Sequence, residues 1–142
     1  MLKIAFLALI LTAPTIVLAQ DAARRERFTI PVNQIDTTTF EVVEADGAGG
    51  TQLWCAAGIF ARHVLGLRGG NLYVAKGRGD AVTAPGRKGV VFSTEAVEGA
   101  FSSVSQGVRR SGQVFSMTHA YSLCRNLPFL RVRTSAKELV RR

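Results

Sequence analysis

The sequence contains few of the side chains from which metal sites and nucleophilic centres are built. Its 142 residues include two Cys and two His, namely Cys55, His63, His119 and Cys124. These four could together form the ligand set of a Cys₂His₂ zinc site. However, seven residues separate Cys55 from His63 and four separate His119 from Cys124, and neither spacing matches a compact zinc finger. We therefore predict neither a metal nor a cofactor.

Carboxylates are also scarce, and they form no pattern typical of acid–base catalysis. Glu41 lies close to Glu44, and Glu95 lies close to Glu98, and we predict that both pairs lie on solvated faces. Glycoside hydrolysis requires two carboxylates that face each other across a cleft. Nothing in the sequence places two of them in that way, so we predict no catalytic residue among them.

Acidic residues are nearly absent from the last third of the chain. From Asp21 to Glu98, nine basic residues balance nine acidic ones, whereas from Gly99 to Arg142 eight basic residues are accompanied by Glu138 alone, an excess of 8 − 1 = 7. This asymmetry predicts an anionic partner, either an anionic envelope component or an acidic protein. A solvated basic tail that keeps the protein soluble is the alternative. Nucleic acid is not predicted, because we expect the chain to be exported.

Long apolar runs are missing after the first twenty residues, so no transmembrane segment is predicted in the mature chain. The N-terminus itself has Lys3, an unbroken apolar run over 4–11 and the small-residue site Val17-Leu18-Ala19. These are the parts of a secretory signal peptide. We assign residues 1–19 to that signal and predict a periplasmic or secreted protein.

The remaining residues are predicted to form one domain of the α+β class. We expect a small antiparallel sheet of three to four strands packed on one main helix (51–65), with a short C-terminal helix. The predicted strands are 37–45, 71–76, 90–94 and 113–117, and the short helix covers 118–127. A flexible leader (20–36) precedes this domain of residues 37–128, and a partly helical basic tail (129–142) follows it.

The stretch TQLWCAAGIFARHVLG, residues 51–66, is predicted to be a structural helix rather than a reactive one. Most of its apolar residues fall on one arc, whereas Cys55 and Ile59 lie on a second flank. The short helix that carries Cys124 is the natural cover for that flank. An even number of cysteines in an exported protein predicts a Cys55–Cys124 disulfide, and Trp54 is predicted to pack in the core.

The alternative for this helix is an exported enzyme that uses a Cys/His pair, Cys55 with His63 or His119. Such a pair needs a thiolate beside a base, and a helix N-terminus can lower the pKa of a thiol. The hypothesis therefore requires that Cys55 is free, and a disulfide would remove its nucleophile.

Two glycine-rich motifs lie in a predicted exposed loop, residues 77–89. GRGD contains the Arg-Gly-Asp tripeptide associated with adhesion, and APGRKG superficially resembles a phosphate-binding loop. Both are interpreted as turns, because neither has the surrounding pattern that the function needs. The cations of this loop and of the tail are nevertheless the candidate anion-binding residues: Arg78, Arg87, Lys88, Arg131, Arg133, Arg141 and Arg142.

The run FEVVEADGAGGTQLWCAAGIFARHVLG, followed by NLYVAKGRGD and GVVFST, resembles small exported bacterial proteins of unknown function that carry a signal peptide and a Trp-Cys-Ala-Ala helix motif. The resemblance implies a periplasmic or secreted protein with a paired second cysteine, and it carries over no catalytic or binding residue. The sequence thus predicts an exported, non-enzymatic, disulfide-stabilised protein that serves envelope-associated binding or structure.

Overall fold

The computed structural model describes residues 28–135 and 138–140. The predicted signal peptide, the first part of the predicted leader, and Arg141 and Arg142 therefore lie outside the described residues. The elements within this part of the chain are β1 (Phe28–Gln34), β2 (Thr39–Val43), α1 (Gly50–His63), β3 (Asn71–Asp80), β4 (Lys88–Ser93), β5 (Phe101–Ser102), β6 (Gln113–Ser116), α2 (Met117–Ser122), a 3₁₀ helix (Leu123–Asn126), β7 (Leu130–Arg133) and β8 (Glu138–Val140).

The strands form one mixed sheet in the order β5-β6-β3-β4-β2-β1-β7-β8. Its central strands are antiparallel: β1 pairs with β2, β2 with β4, and β4 with β3. Two parallel pairs lie outside them, β5 with β6 and β1 with β7. Because β1 pairs with β7, the sheet places the first described strand next to one of the last.

The β1–β2 hairpin forms because its apolar residues alternate and its turn is stabilised by an aspartate. Phe28, Ile30 and Val32 are buried at every second position of β1, as expected for a strand with one face on the core. In the turn, the Asp36 carboxylate accepts hydrogen bonds from the Thr39 hydroxyl and from the Thr38 and Thr39 amides. These bonds lower the pKa of Asp36 to about 2.

Helix α1 begins after Gly49, whose backbone N–H donates to the Gln52 side chain at 3.1 Å, and it is buried on two sides. On the sheet side, the Phe60 ring lies 4.7 Å from the Phe40 ring. Trp54, fully buried as predicted, packs between Phe92 and Phe115. Among the described residues, no helix has the length and apolar character needed to cross a membrane.

The second side of α1 is covered by α2 and the 3₁₀ helix, and the predicted disulfide is formed there. Cys55 and Cys124 are bonded, with their Cα atoms 5.0 Å apart. Both are essentially inaccessible to solvent, at 0% and 1% exposure. One turn further along α1, Gly58 allows the two helices to approach until their backbones touch, because a Cβ there would lie 2.6 Å from the Tyr121 amide nitrogen.

We expect Gly58→Ala to lower the free energy of unfolding by about 2 kcal/mol, since overpacking a core costs roughly 1–3 kcal/mol. The added methyl would overlap main-chain atoms of α2, which cannot rotate away as a side chain could. Gly69→Ala is the control, because a Cβ at Gly69 would meet nothing within 4 Å. Urea denaturation of both variants tests the prediction, and equal stability of the two would contradict it.

The predicted fold, a sheet of three to four strands on one main helix, is wrong. The described residues form an eight-stranded mixed sheet with only two short α-helices. β1 lies within the predicted flexible leader, and β7 and β8 lie within the predicted partly helical tail. The predicted loop over 77–89 is also shortened, since β3 continues to Asp80 and β4 begins at Lys88. The reason is long-range pairing: Phe28 aligns with Leu130 and Ile30 with Val132, and neither segment alone shows its partner.

Candidate anion-binding cleft

A cleft with a cavity of about 540 Å³ opens where the first turn of α1 meets the segment 101–113. Gly50 and Thr51 of α1 form one wall, and serine and glutamine side chains contribute much of the remainder. Three arginines also line it: Arg78 from β3, and Arg109 and Arg110 from the segment before β6. The cleft is therefore polar and strongly basic.

The segment that carries two of these arginines is fixed to the core by side-chain hydrogen bonds. The Trp54 indole N–H donates to the Gly107 carbonyl at 3.3 Å. Thr51 donates to the Gln106 side chain, and Gln113 donates to the Ser105 carbonyl. These bonds position a segment that has little regular secondary structure of its own.

The approach of β3 to this segment brings Arg78 close to Arg109 and Arg110. The Arg78 backbone N–H donates to the Val108 carbonyl at 2.7 Å. Gly77 permits the contact, because a Cβ at that position would overlap the Arg109 carbonyl. The three arginine residues are thus brought to one cleft by backbone contacts between positions that are about thirty apart in sequence.

The three arginines differ in what they already contact. Arg78 donates from Nε and Nη2 to the two carboxylate oxygens of Glu44, at 2.7 and 2.5 Å. The Arg110 guanidinium lies 4.8 Å from the centre of the Phe101 ring, in a cation–π arrangement. Within the described residues, Arg109 is exposed and its guanidinium has neither a carboxylate partner nor a ring partner.

A second cavity of about 380 Å³ adjoins the first. It is lined by Arg78, Gly79, Lys88 and Arg109. Its Lys88 ammonium lies 2.6 Å from Asp80 in a well-exposed ion pair, and both the hydrogen bond and the charge of Lys88 lower the pKa of Asp80. Such exposed pairs contribute only about 0–1 kcal/mol, so an incoming anion can compete for Lys88 at small cost.

The structure does not bring the candidate anion-binding residues together at one site. Arg78 and Lys88 line the two cavities, whereas Arg87 lies outside them and donates to the Glu44 carbonyl at 2.6 Å. Arg131 and Arg133 belong to β7, on the opposite half of the sheet, where both face Glu138. The remaining two, Arg141 and Arg142, lie outside the described residues.

Sequence reasoning missed Arg109 and Arg110 as members of the cleft. The only available signal was their position as adjacent arginines inside a segment without a clear helical or strand pattern. Their proximity to Arg78 depends on the close approach at Gly77, which no local pattern indicates.

The Arg-Gly-Asp tripeptide is not displayed on a loop tip. It lies inside β3, where Arg78 pairs with Glu44 and Asp80 pairs with Lys88. Both charged side chains of the motif are therefore engaged within the domain. The interpretation of this motif as a turn is therefore wrong, because its residues belong to a paired strand.

The Cys/His pair of the enzyme hypothesis is not assembled. Cys55 is buried and bonded to Cys124, so it carries no thiolate. The His63 ring lies beside Tyr121, with Nε2 3.4 Å from the phenol oxygen, and the His119 ring packs edge-on against Phe115. Across residues 28–135 and 138–140, no group of three or more His, Cys, Asp or Glu side chains could hold a metal ion.

One buried carboxylate lies outside the cleft, and the prediction that it is solvated is wrong. Glu41 is 0% exposed. Its Oε1 accepts from the Val82 amide at 2.7 Å, and its Oε2 accepts from the Thr83 amide and hydroxyl at 2.6 and 2.5 Å. Asn33 in turn donates to the same hydroxyl oxygen at 2.8 Å. These bonds hold the loop 81–87, which connects Asp80 to Lys88, against the sheet.

Comparisons of the chain with protein-family models, with curated proteins and with solved structures find no match. Any functional conclusion therefore depends on the chemistry of the cleft itself.

Proposed function

We propose that this protein is a small exported domain without enzymatic activity that binds a phosphate-type anionic group in its basic cleft, and thereby attaches to an anionic component of the cell envelope. The observation that carries the proposal concerns Arg109. It lines both cavities, and within the described residues it has no carboxylate partner.

The charge balance around the cleft supports an anionic ligand. Four cations line the two cavities, and two of them pair with carboxylates, Arg78 with Glu44 and Lys88 with Asp80. An excess of two positive charges remains, on Arg109 and Arg110. Guanidinium groups present several N–H donors in a planar fork that matches the oxygens of phosphate and carboxylate groups. The cleft thus offers both charge and geometry to such a ligand.

Export is supported by the composition of the first twenty residues and is compatible with the disulfide. Disulfides persist in oxidising compartments such as the bacterial periplasm, and the Cys55–Cys124 bond is buried in the core. The similarity to small exported bacterial proteins with a Trp-Cys-Ala-Ala helix motif points the same way, and we retain it as part of the proposal.

We expect Arg109→Gln/Arg110→Gln to weaken retention on anionic vesicles by roughly tenfold or more, because each basic residue near an anionic surface contributes about 1 kcal/mol. The measurement is flotation with vesicles of equal parts phosphatidylglycerol and phosphatidylcholine, at low and at high salt. Vesicles of phosphatidylcholine alone should not retain the protein, and high salt should release it.

Arg131→Gln/Arg133→Gln is the matched control, because it removes two charges from β7, outside the two cavities. Point substitutions are preferable to deletion of residues 129–142, since the deletion would remove β7 from the sheet. If both double variants lose vesicle retention equally, the effect is one of overall charge, and the proposal that the cleft is the binding site is contradicted. Unchanged vesicle retention of the Arg109→Gln/Arg110→Gln variant would contradict the proposed cleft site as well.

A further inference from the structure

The two cavities form adjoining compartments of one basic cleft. Arg78 and Arg109 line both of them. Arg110 lines only the first compartment, and Lys88 lines only the second. Each compartment therefore has a cation of its own, and two further cations stand at the boundary between them.

Arg78 and Arg109, which line both compartments, can each donate hydrogen bonds to an anion in either compartment. Arg78 uses Nε and Nη2 for Glu44, and Nη1 lies outside that pair. The Arg109 side chain is exposed and has no carboxylate partner among the described residues. A guanidinium has five N–H donors in one plane, so a single arginine can contact oxygens of two neighbouring anionic groups.

From this arrangement we infer that the ligand carries two phosphate groups close together, as in a diphosphate. One group would bind between Arg109 and Arg110, and the other between Arg78 and Lys88. The inference rests on the proposed function, since it specifies the ligand of the same cleft. Binding of the first group raises the effective concentration of the second, so a diphosphate should bind more tightly than two separate phosphates would.

The loop 81–87 precedes Lys88, the cation of the second compartment. It connects Asp80 to Lys88, and it is held by the hydrogen bonds from Val82 and Thr83 to Glu41. Lys88 also starts β4, whose backbone is paired with Asp80 of β3. The cation of the second compartment is thus attached to a fixed backbone, as a specific site requires.

The test is titration calorimetry of the full disulfide-bonded protein with inorganic pyrophosphate and with inorganic orthophosphate. We expect pyrophosphate to bind at least about tenfold more tightly. Lys88→Gln should weaken pyrophosphate binding about fivefold to tenfold, because it removes the cation of one compartment, whereas orthophosphate binding should change by less than about twofold, because the other compartment remains.

Lys76→Gln is the charge-matched control. Lys76 lies on the same strand as Arg78, is exposed, donates to the Asp80 carbonyl and lines neither cavity. This variant should bind both probes within about twofold of the unmodified protein, in line with the small contribution of exposed charges. If Lys76→Gln and Lys88→Gln weaken pyrophosphate equally, the pyrophosphate preference is a bulk charge effect and the inference is wrong.

The outcomes separate this inference from the proposed function. Absence of binding by both probes would contradict the proposed function itself. If pyrophosphate and orthophosphate bind with equal affinity and Lys88→Gln has no effect, the anion site is supported but the two-compartment inference is wrong. A pyrophosphate preference that depends on Lys88 supports it.

A second arm identifies the source of the diphosphate. Vesicles that carry farnesyl diphosphate are compared with vesicles that carry farnesyl phosphate, with pyrophosphate as competitor. Preferential retention on the diphosphate vesicles, reversed by pyrophosphate, supports a lipid headgroup. Tight pyrophosphate binding without that preference supports a free diphosphate. If pyrophosphate does not release the protein from the diphosphate vesicles, the lipid binds outside the cleft, and the inference is contradicted.

Discussion

Replacing both cysteines by alanine is expected to lower the free energy of unfolding by about 4 kcal/mol. The Cys55–Cys124 bond spans 69 positions of the chain, and closing a loop of that length removes much of the conformational freedom of the unfolded state. Domains of this size are stable by only about 5–15 kcal/mol. The double variant Cys55→Ala/Cys124→Ala should therefore lose a large share of its stability, and urea denaturation measures the loss directly.

The reduced form of the unmodified protein is the matched control for packing. Both cysteine side chains lie in the core between α1 and the 3₁₀ helix, and reduction keeps their volume while opening the cross-link. If reduction and substitution lower the free energy of unfolding by similar amounts, the effect is due to the cross-link. A loss below about 1 kcal/mol in both, far under the loop-closure value, would contradict the prediction. Intact mass before and after reduction, differing by two hydrogens, establishes the bond in the purified protein.

The disulfide and its helix were predictable because their signals are local or are given by counting. Two cysteines leave only one possible pairing within the chain, and the apolar pattern over 51–65 closely matches α1 (Gly50–His63). Predicted strands over 37–45, 71–76, 90–94 and 113–117 correspond to β2, β3, β4 and β6. Each of these strands has an apolar or alternating pattern that can be read within five to ten residues.

The outer part of the sheet was not predictable in the same way. β7 has the sequence LRVR, in which Leu130 and Val132 are buried and Arg131 and Arg133 are exposed. That alternation is typical of a strand, but its length and its basic surroundings suggested a tail. Its place is determined by parallel pairing with β1, roughly a hundred positions earlier. Contacts of that range leave no trace in a local pattern.

The cleft and the buried carboxylate were missed for a related reason. Alternation along β2 puts Phe40 and Val42 on the core face and Glu41 on the other. Alternation specifies the face of a side chain, but it does not say whether that face is in contact with water. The loop 81–87 covers Glu41, just as the close approach at Gly77 brings Arg109 to Arg78. Both depend on how distant segments meet.

Glu41→Gln is expected to lower the free energy of unfolding by about 2–3 kcal/mol, although it changes the shape of the side chain very little. Both carboxylate oxygens accept hydrogen bonds, from Val82 N–H on one and from the Thr83 amide and hydroxyl on the other. A glutamine has one acceptor oxygen, so its NH₂ group must face N–H donors of the loop. Leaving such buried donors unsatisfied costs about 1–3 kcal/mol each.

The same substitution at an exposed acid, Glu98→Gln, is the control, and it should change stability by less than about 0.5 kcal/mol. Hydrogen exchange gives the local readout: in Glu41→Gln the amides of Val82 and Thr83 should exchange faster, because their acceptor is weakened or lost. Thr83→Val tests the hydroxyl alone, which donates to Glu41 and accepts from Asn33. If Glu41→Gln is as stable as the unmodified protein while these amides stay protected, the loop 81–87 is held by its own turn and by its strands, and Glu41 does not contribute to closing it.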